Sequence, residues 1–416
     1  MSRWCCAGRC RWTPERVGPE LNDGPGAVPT WERAWGEALY GPRGFYRRPE
    51  GPAGHFRTAS HAAGRLLAEA LVRLAGDAGC TGVVDVGAGR GELLGALAAA
   101  DPALDLHGID VVDRPPGLPE RVGWSVGAET LATILPGMTR ALPGMTRALP
   151  GATGARRGPG GVLVLAWELL DVVPCPVLEA DEGGVLRVVH VDPRTGVESL
   201  GAEASEADLT WCRDWWPPED GDRPEPGTRV EVGRTRDDTW ARLVEAVAAS
   251  GPGVLVAVDY GHLGPSSPED GGGPGLPGRR PERLPGAVVV TDRARDLLGG
   301  RPEPGTLAAF RSGRAVPPVP DGRCDLTAHV ALDAVAAAGV AAGATAGLIT
   351  TQDEALGALG VSHDGVAHPA EDGSALLARL DRAGQVAELT DPGGLGGFGW
   401  LVQAVGGGLP GTVPGH

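Results

Sequence analysis

The sequence predicts an α/β protein built on a parallel sheet, and three features carry that prediction. A short apolar run, VVDV (Val83–Val86), breaks into glycines at 87, 89 and 91 and gives way at once to good helix formers, Glu92 to Ala100. A second β-rich run, LDLHGID (Leu104–Asp110), follows within about 30 residues, and a strand, helix and strand in that span make a βαβ unit with parallel strands. Two further apolar runs, VLVLAW (Val162–Trp167) and VLVAV (Val254–Val258), read as buried strands of the same sheet.

Along the chain, residues 1–30 are expected to be a disordered extension, and a helix starts at Trp31, Trp35 and Leu39. Leu66, Leu67, Ala70, Leu71 and Leu74 recur with the 3.6-residue period, so residues 31–80 form an N-terminal helical region. The main domain then runs over 81–405, with loop insertions at 135–160, 176–235 and 262–286 and a loose tail at 406–416. In the first insertion LPGMTRA is repeated, but each copy carries Pro-Gly, which stops a helix, so it reads as a duplicated loop. In the second, two β-rich runs flank Gly183-Gly184 as a hairpin. Trp240, Leu243, Val244 and Val247 form a helical stripe that feeds Gly251 and the strand at 254–258. A strand pair is expected around Gly305–Val316, a helix from Leu326 to Ala338 and a short helix at Asp353–Leu359. QVAELT (Gln385–Thr390) and FGWLVQAV (Phe398–Val405) are expected as the terminal strands.

Composition narrows the class. The chain has 416 residues, 42% of them hydrophobic, with 68 glycines and 38 prolines clustered away from the apolar runs, which suits a folded body with long loops. No run of about 18 apolar residues predicts a membrane span, and the first residues lack the apolar core of a secretory signal, so a cytoplasmic protein is expected. The net charge is −16 and every basic residue other than histidine is arginine. Such an acidic surface argues against nucleic acid as a partner. Cys5, Cys6 and Cys10 have no second ligand pair at finger spacing, so no metal site is expected. Cys80, Cys175, Cys212 and Cys324 read as small buried hydrophobes.

The chemistry concentrates in VVDVGAGRGELL (Val83–Leu94). Glycines let the backbone turn sharply and approach a ligand, and the helix that follows offers free N–H groups. A dinucleotide site would want G-x-G-x-x-G, but Glu92 follows Gly91 and would set negative charge against a pyrophosphate. The spacing suits a ligand without phosphates, such as S-adenosylmethionine. Asp110, at the end of the next strand, is placed to accept hydrogen bonds from ribose hydroxyls. Asp85, Gly87, Gly89, Gly91, Asp110 and Thr58 are therefore the candidate cofactor residues. Across the sheet, LVLAWELLDVVP (Leu163–Pro174) ends a strand with Glu168 and Asp171. If a helical turn begins there, the two carboxylates share a face and can grip a guanidinium, or they merely favour a helix start. Other residues keep two uses open: His329 as structural histidine or base, Asp259-Tyr260-Gly261 as a turn or the mouth of the site, and Trp211, Trp215 and Trp216 as core anchors or a substrate wall.

Together these motifs resemble the MidA-type S-adenosylmethionine-dependent methyltransferases, relatives of the mitochondrial complex I assembly factor that methylates an arginine. The resemblance runs from about Trp31 to Ala404. It rests on Gly44–His61, VDVGAGRGEL, WELLDVVP, VDYG (Val258–Gly261), GTLAAFR (Gly305–Arg311), DLTAHVALD (Asp325–Asp333), Thr351-Gln352 and FGWLVQ. It implies a seven-stranded, Rossmann-like class I methyltransferase sheet with an N-terminal helical part and an insertion after the fourth strand. It also implies S-adenosylmethionine as cofactor, and as reaction the methylation of a protein arginine, on a respiratory-complex subunit in the relative just named. The alternatives are a small-molecule methyltransferase and a non-catalytic assembly factor that binds the cofactor. The sequence departs from the family's pattern at His55, at Trp167, where the family has Asn, and at Gly313, where it often has His.

Overall fold

A computed structural model of the chain describes residues 27–48, 59–127, 160–217, 223–264, 287–301, 305–362 and 373–413. The central sheet takes its first strands from the predicted runs: β1 (Cys80–Val86), β2 (Asp105–Asp110), β3 (Gly123–Val126) and β4 (Gly161–Trp167). The chain then leaves the sheet to build β5 (Val177–Ala180), β6 (Leu186–Val191), β7 (Glu198–Glu203) and β8 (Arg229–Glu231), an antiparallel sheet of its own in the order β7-β6-β5-β8. It returns as β9 (Gly253–Asp259) and the two-residue β10 (Gly261–His262). Then come β11 (Val288–Val290), an outlying trio β12 (Ala308–Arg311), β13 (Arg314–Val316) and β14 (Asp325–Thr327), and the short β15 (Val330–Ala331). The last strands are β16 (Ala346–Thr351) and β17 (Gly399–Val405).

The main sheet runs β11-β16-β17-β9-β4-β1-β2-β3. All its pairings are parallel except those of β17, which lies antiparallel between β16 and β9. The sheet has eight strands, not the seven that the resemblance implies: Val288–Val290 adds itself outside β16. A segment of three valines is too short to show any period, so nothing in the sequence marked it as a strand.

Nine helices are described: α1 (Trp31–Tyr40), α2 (Ala59–Asp77), α3 (Glu92–Ala100), α4 (Glu206–Trp215), α5 (Arg234–Ser250), α6 (Asp292–Leu298), α7 (Leu332–Ala341), α8 (Gln352–Ala358) and α9 (Gly373–Thr390). Period-2 alternation in the strands divides them between the two faces. Val83, Leu163, Leu165, Val254, Val256 and Val258 face α2, α3, α8 and α9. Val84, Val162, Val164, Leu255 and Ala257 face α5, α6 and α7. Both faces are covered, as strands that are apolar throughout require.

Two smaller cores hold the additions. Trp31, Trp35 and Leu39 of α1 pack with Val177, Val189 and Val191 of the inserted sheet and with Ala309 and Leu326. Trp211 and Trp216 pack against Leu178 and Val230, so these tryptophans anchor a core, and Trp211 Nε1 donates to Asp237 Oδ2 at 2.7 Å.

Three sequence expectations are corrected. QVAELT lies in α9, with Val386 and Leu389 buried three residues apart on a helix face. The helix expected from Leu326 starts only at Leu332, because Asp325–Thr327 pairs with β12 instead. Residues 406–413 are not loose: Val413 is buried, and the Thr412 backbone N–H and hydroxyl both bond Asp77 Oδ2. The repeat, most of the first 30 residues and the loop 265–286 lie outside the described residues.

Candidate functional site

The carboxyl ends of β1, β2, β4 and β9 come together at one edge of the sheet, where open α/β sheets bind ligands. The glycine bend sits there. Gly87, Gly89 and Gly91 all have positive φ, at 77°, 58° and 76°. Their roles differ. A Cβ on Gly87 would meet Leu169 Cδ1 at 2.9 Å, and one on Gly91 would meet Leu118 Cδ1 at 2.8 Å, so these two glycines also let the bend pack on its own neighbours. Among the described residues, a Cβ on Gly89 would find only Glu92 Oε2, 3.9 Å away. Gly89 therefore faces open space, and it is the position at which a ligand can press on the backbone.

Asp110 turns towards this bend. Its Oδ2 accepts the Gly89 N–H at 2.8 Å, while Oδ1 accepts the N–H groups of Val111 at 2.6 Å and Val112 at 3.2 Å. Three amides occupy three of the roughly four acceptor positions of a carboxylate, so one position is left for a hydroxyl. Burial raises the Asp110 pKa, and the three amide bonds and the nearby Arg90 work against that rise. Asp85, 3% exposed, lies beneath. Burial, together with the charges of Asp110 and Glu92, pushes its carboxyl up to about 7. Three acids thus surround the bend, an electrostatic setting hostile to a pyrophosphate and compatible with a sulfonium or an uncharged nucleoside. This fits S-adenosylmethionine by the open side of Gly89 and by the acceptor position left on Asp110.

The segment after α1 reaches the same edge. Arg47 Nη1 donates to the Val111 carbonyl at 2.9 Å, and Arg90 Nη2 donates to the Arg48 carbonyl at 2.7 Å. Thr58, the remaining candidate cofactor residue, lies outside the described residues.

At the end of β4 the chain is strained: Glu168 has φ 50°, a left-handed conformation uncommon for a residue with a Cβ. Its N–H bonds the Val258 carbonyl at 2.8 Å, which fixes the bend against β9. Glu168 and Asp171 do not form one exposed helical face. The segment makes a turn, with Val173 N–H bonding the Leu170 carbonyl, and Asp171 goes inward. Asp171 Oδ2 accepts the Thr327 hydroxyl at 2.7 Å. Asp259, fully buried, accepts the N–H groups of Leu170 and Asp171, both at 3.3 Å. Burial and the Asp171 charge hold the Asp259 carboxyl well above the usual carboxylate range. Asp171 is also raised, chiefly by burial, against the pull of Thr327, Asp259 and Arg236. Its Oδ1 is buried with no hydrogen-bond partner among the described residues.

Several residues of this edge escape sequence reasoning. Arg236, 1% exposed, donates to three carbonyls: Val173 at 3.3 Å, His329 at 2.8 Å and Asp171 at 3.0 Å. Glu231 at the end of β8 accepts the N–H groups of Thr306 and Leu307 and the Thr306 hydroxyl. The Thr306 hydroxyl oxygen in turn accepts the His329 N–H at 2.9 Å. The His329 ring lies near-parallel to Tyr260, centroids 6.1 Å apart, and its Nδ1 is buried without a partner. Burial lowers its pKa, so the ring is neutral at pH 7. Trp167 packs edge-on against Trp400 at 5.5 Å, and its Nε1 is likewise buried and unpartnered among the described residues. Of these, His329, Tyr260 and Trp167 were marked in the sequence, whereas Arg236 stands in the charged run RTRDD and carries no signal there.

Among the described residues no group of His, Cys, Asp and Glu could hold a metal ion, and the four described cysteines are buried free thiols. No helix there is long and apolar enough to cross a membrane.

Comparisons with known proteins add the fold's company. No family model matches the chain, and no curated protein does. Two solved structures resemble it over nearly its whole length. One is a "likely methyl transferase" from Burkholderia thailandensis bound to S-adenosyl-homocysteine: TM-score 0.62, 21% identity, 94% of this chain and 92% of that one. The other is a native structure of an uncharacterized protein from the same organism: TM-score 0.61, 21% identity, 94% and 91%. At this identity the likeness shows a shared fold.

Proposed function

We propose that the chain is an S-adenosylmethionine-dependent methyltransferase of the MidA type, acting on an arginine side chain of a protein in the cytoplasm. The observation that carries the cofactor is the bond from Gly89 N–H to Asp110 beside a glycine with open space before it. The Burkholderia protein of the same fold, bound to S-adenosyl-homocysteine, supports the same ligand. When bound, S-adenosylmethionine supplies an activated methyl group. The protein's part is alignment, which can lower a barrier by about 7–11 kcal/mol. Gly87, Gly89 and Gly91 shape the cradle, Asp110 holds the ribose, and Asp85 sits beneath as an acid that ionises near neutrality.

For the acceptor, Glu168 and the buried Asp171–Asp259 pair supply negative charge at the end of β4 and β9. This favours a cationic acceptor such as a guanidinium, which stays protonated below a pH of about 12. A protein substrate, including a respiratory-complex subunit, is the reading that follows from the resemblance; a small-molecule acceptor is the alternative. Calorimetry with S-adenosylhomocysteine tests the cofactor: saturable 1:1 binding is expected, and no heat at millimolar ligand would end the proposal. Incubation with labelled S-adenosylmethionine and a cell extract then identifies the acceptor as protein or metabolite.

A further inference from the structure

At the end of β4 the sheet hands over from main chain to side chain. Strands β4 and β9 pair in parallel as far as Trp167 and Val258, and the Glu168 N–H adds a last rung on the Val258 carbonyl at 2.8 Å. The chain then turns out of the sheet at the left-handed Glu168. Leu170 and Asp171 follow and are buried, and buried amides need acceptors. The carboxyl group of Asp259, the residue after Val258, supplies both. Its Oδ2 takes the Leu170 N–H and its Oδ1 the Asp171 N–H, each at 3.3 Å.

A fully buried acid at the end of an apolar strand has to be held by specific partners, and here both of its oxygens serve one turn. Asp171 has ties of its own. Thr327 bonds its Oδ2 at 2.7 Å, and Arg236 and the Ala328 N–H bond its carbonyl at 3.0 and 3.1 Å. What Asp259 adds is therefore the course of the turn, not the place of Asp171. A left-handed residue with a Cβ persists only where its surroundings over-determine it, and such strain gathers at functional sites. The end of β9 does this for Glu168: Val258 holds its own amide, and Asp259 holds the amides of Leu170 and Asp171 beyond it.

We propose that Asp259 is a positioning residue: by accepting the amides of Leu170 and Asp171 it keeps Glu168 left-handed and so sets the direction from which the Glu168 carboxylate meets the acceptor. The inference rests on the methyl-transfer reading and gives Asp259 a part separate from its charge.

Two variants test it. Asp259→Leu keeps much of the shape and removes both acceptors, and Asp259→Asn keeps the shape and one acceptor oxygen. Crystal structures of the variants are expected to show residue 168 outside the left-handed region. Incorporation of labelled methyl from S-adenosylmethionine into a cell extract should fall about tenfold in Asp259→Leu and about threefold in Asp259→Asn, as misplacement of a contact at the reacting centre does. S-adenosylhomocysteine affinity should stay within about twofold of wild type, which also shows that a variant folded. In a Glu168→Gln background Asp259→Asn should cause no further fall, because the carboxylate it aims is gone; a merely structural part would lower transfer in both backgrounds alike. Residue 168 still near φ 50° in whichever variant folds overturns the proposal, and so does an equal fall with and without the Glu168 carboxylate. Should Glu168→Gln leave no transfer to compare, the conformation of residue 168 decides. A wild type that binds no S-adenosylhomocysteine refutes the methyltransferase reading instead, and the crystal structures then judge Asp259 by themselves.

Discussion

Asp110 Oδ2 accepts the Gly89 N–H at 2.8 Å, so the end of β2 holds the glycine bend after β1 by a direct bond across the cleft. One carboxylate thereby shapes the bend and reaches the place where a ribose is expected. Asp110→Ala should weaken S-adenosylhomocysteine binding at least about tenfold, the loss of one or two charge-assisted hydrogen bonds. Stability should fall by about 1–3 kcal/mol as the amides of Gly89, Val111 and Val112 lose their acceptor. Calorimetry and urea unfolding measure the two effects; unchanged affinity would remove Asp110 from the site.

The three glycines should separate by role. Gly91→Ala meets both a positive φ and the Leu118 side chain, and should cost about 2–3 kcal/mol of stability. Gly89→Ala meets the backbone strain alone and should cost about 1–2 kcal/mol, while placing a methyl group in the open space before it. Ligand binding should therefore suffer more in Gly89→Ala than its stability does. The contrast between unfolding midpoint and S-adenosylhomocysteine affinity across the two variants checks this.

Asp85 gives a pH signature. Its folded pKa, about 7, lies above the unfolded value of about 4, so the native state keeps a proton that the unfolded chain releases in between. The associated stability is fully present below about pH 4 and is lost as pH rises through 7. Asp85→Asn is neutral at every pH, so it should gain on the wild type between pH 5 and pH 8 by about 1–3 kcal/mol. Urea midpoints at the two pH values decide; an identical pH slope in both proteins would mean that Asp85 is ionised throughout.

The bend and its acid were legible in the sequence because their chemistry is local: strand, glycines, helix and Asp110 span fewer than about 30 residues, and each type has a single-residue reason to be there. The buried network behind Glu168 was not. Arg236 meets carbonyls at 171, 173 and 329, and Glu231 meets the loop at 306, so each partner is fixed by tertiary folding and leaves no periodic trace. QVAELT failed for another reason. Six residues with valine, leucine and threonine suit a strand, and only the length of α9, with Val386 and Leu389 on its buried side, decides for a helix.

Glu168 at φ 50° stores strain at the end of β4. Glu168→Gly should relieve it and leave the protein as stable as wild type or more stable by up to about 1 kcal/mol, glycine's added entropy offsetting part of the gain. Transfer to the acceptor should fall, because the carboxylate is gone. Glu168→Ala keeps the strain and should show the activity loss without the stability gain. Unfolding midpoints paired with labelled-methyl incorporation separate the two contributions.

Arg236 is the buried tie among these elements, its guanidinium spanning the carbonyls of Asp171, Val173 and His329 and lying over the Trp35 ring at 5.7 Å. Arg236→Met fills much of the volume but removes a donor from three buried carbonyls, of which, among the described residues, only that of Asp171 keeps a second one, the Ala328 N–H at 3.1 Å, and should cost about 3–5 kcal/mol. Arg236→Lys keeps the charge, yet an ammonium cannot span three acceptors as the planar fork does, so it should lose roughly half as much. If Arg236 serves the acceptor side alone, S-adenosylhomocysteine affinity in Arg236→Lys should stay within about twofold of wild type. A lysine variant as stable as wild type would show that the three carbonyls are satisfied without the fork.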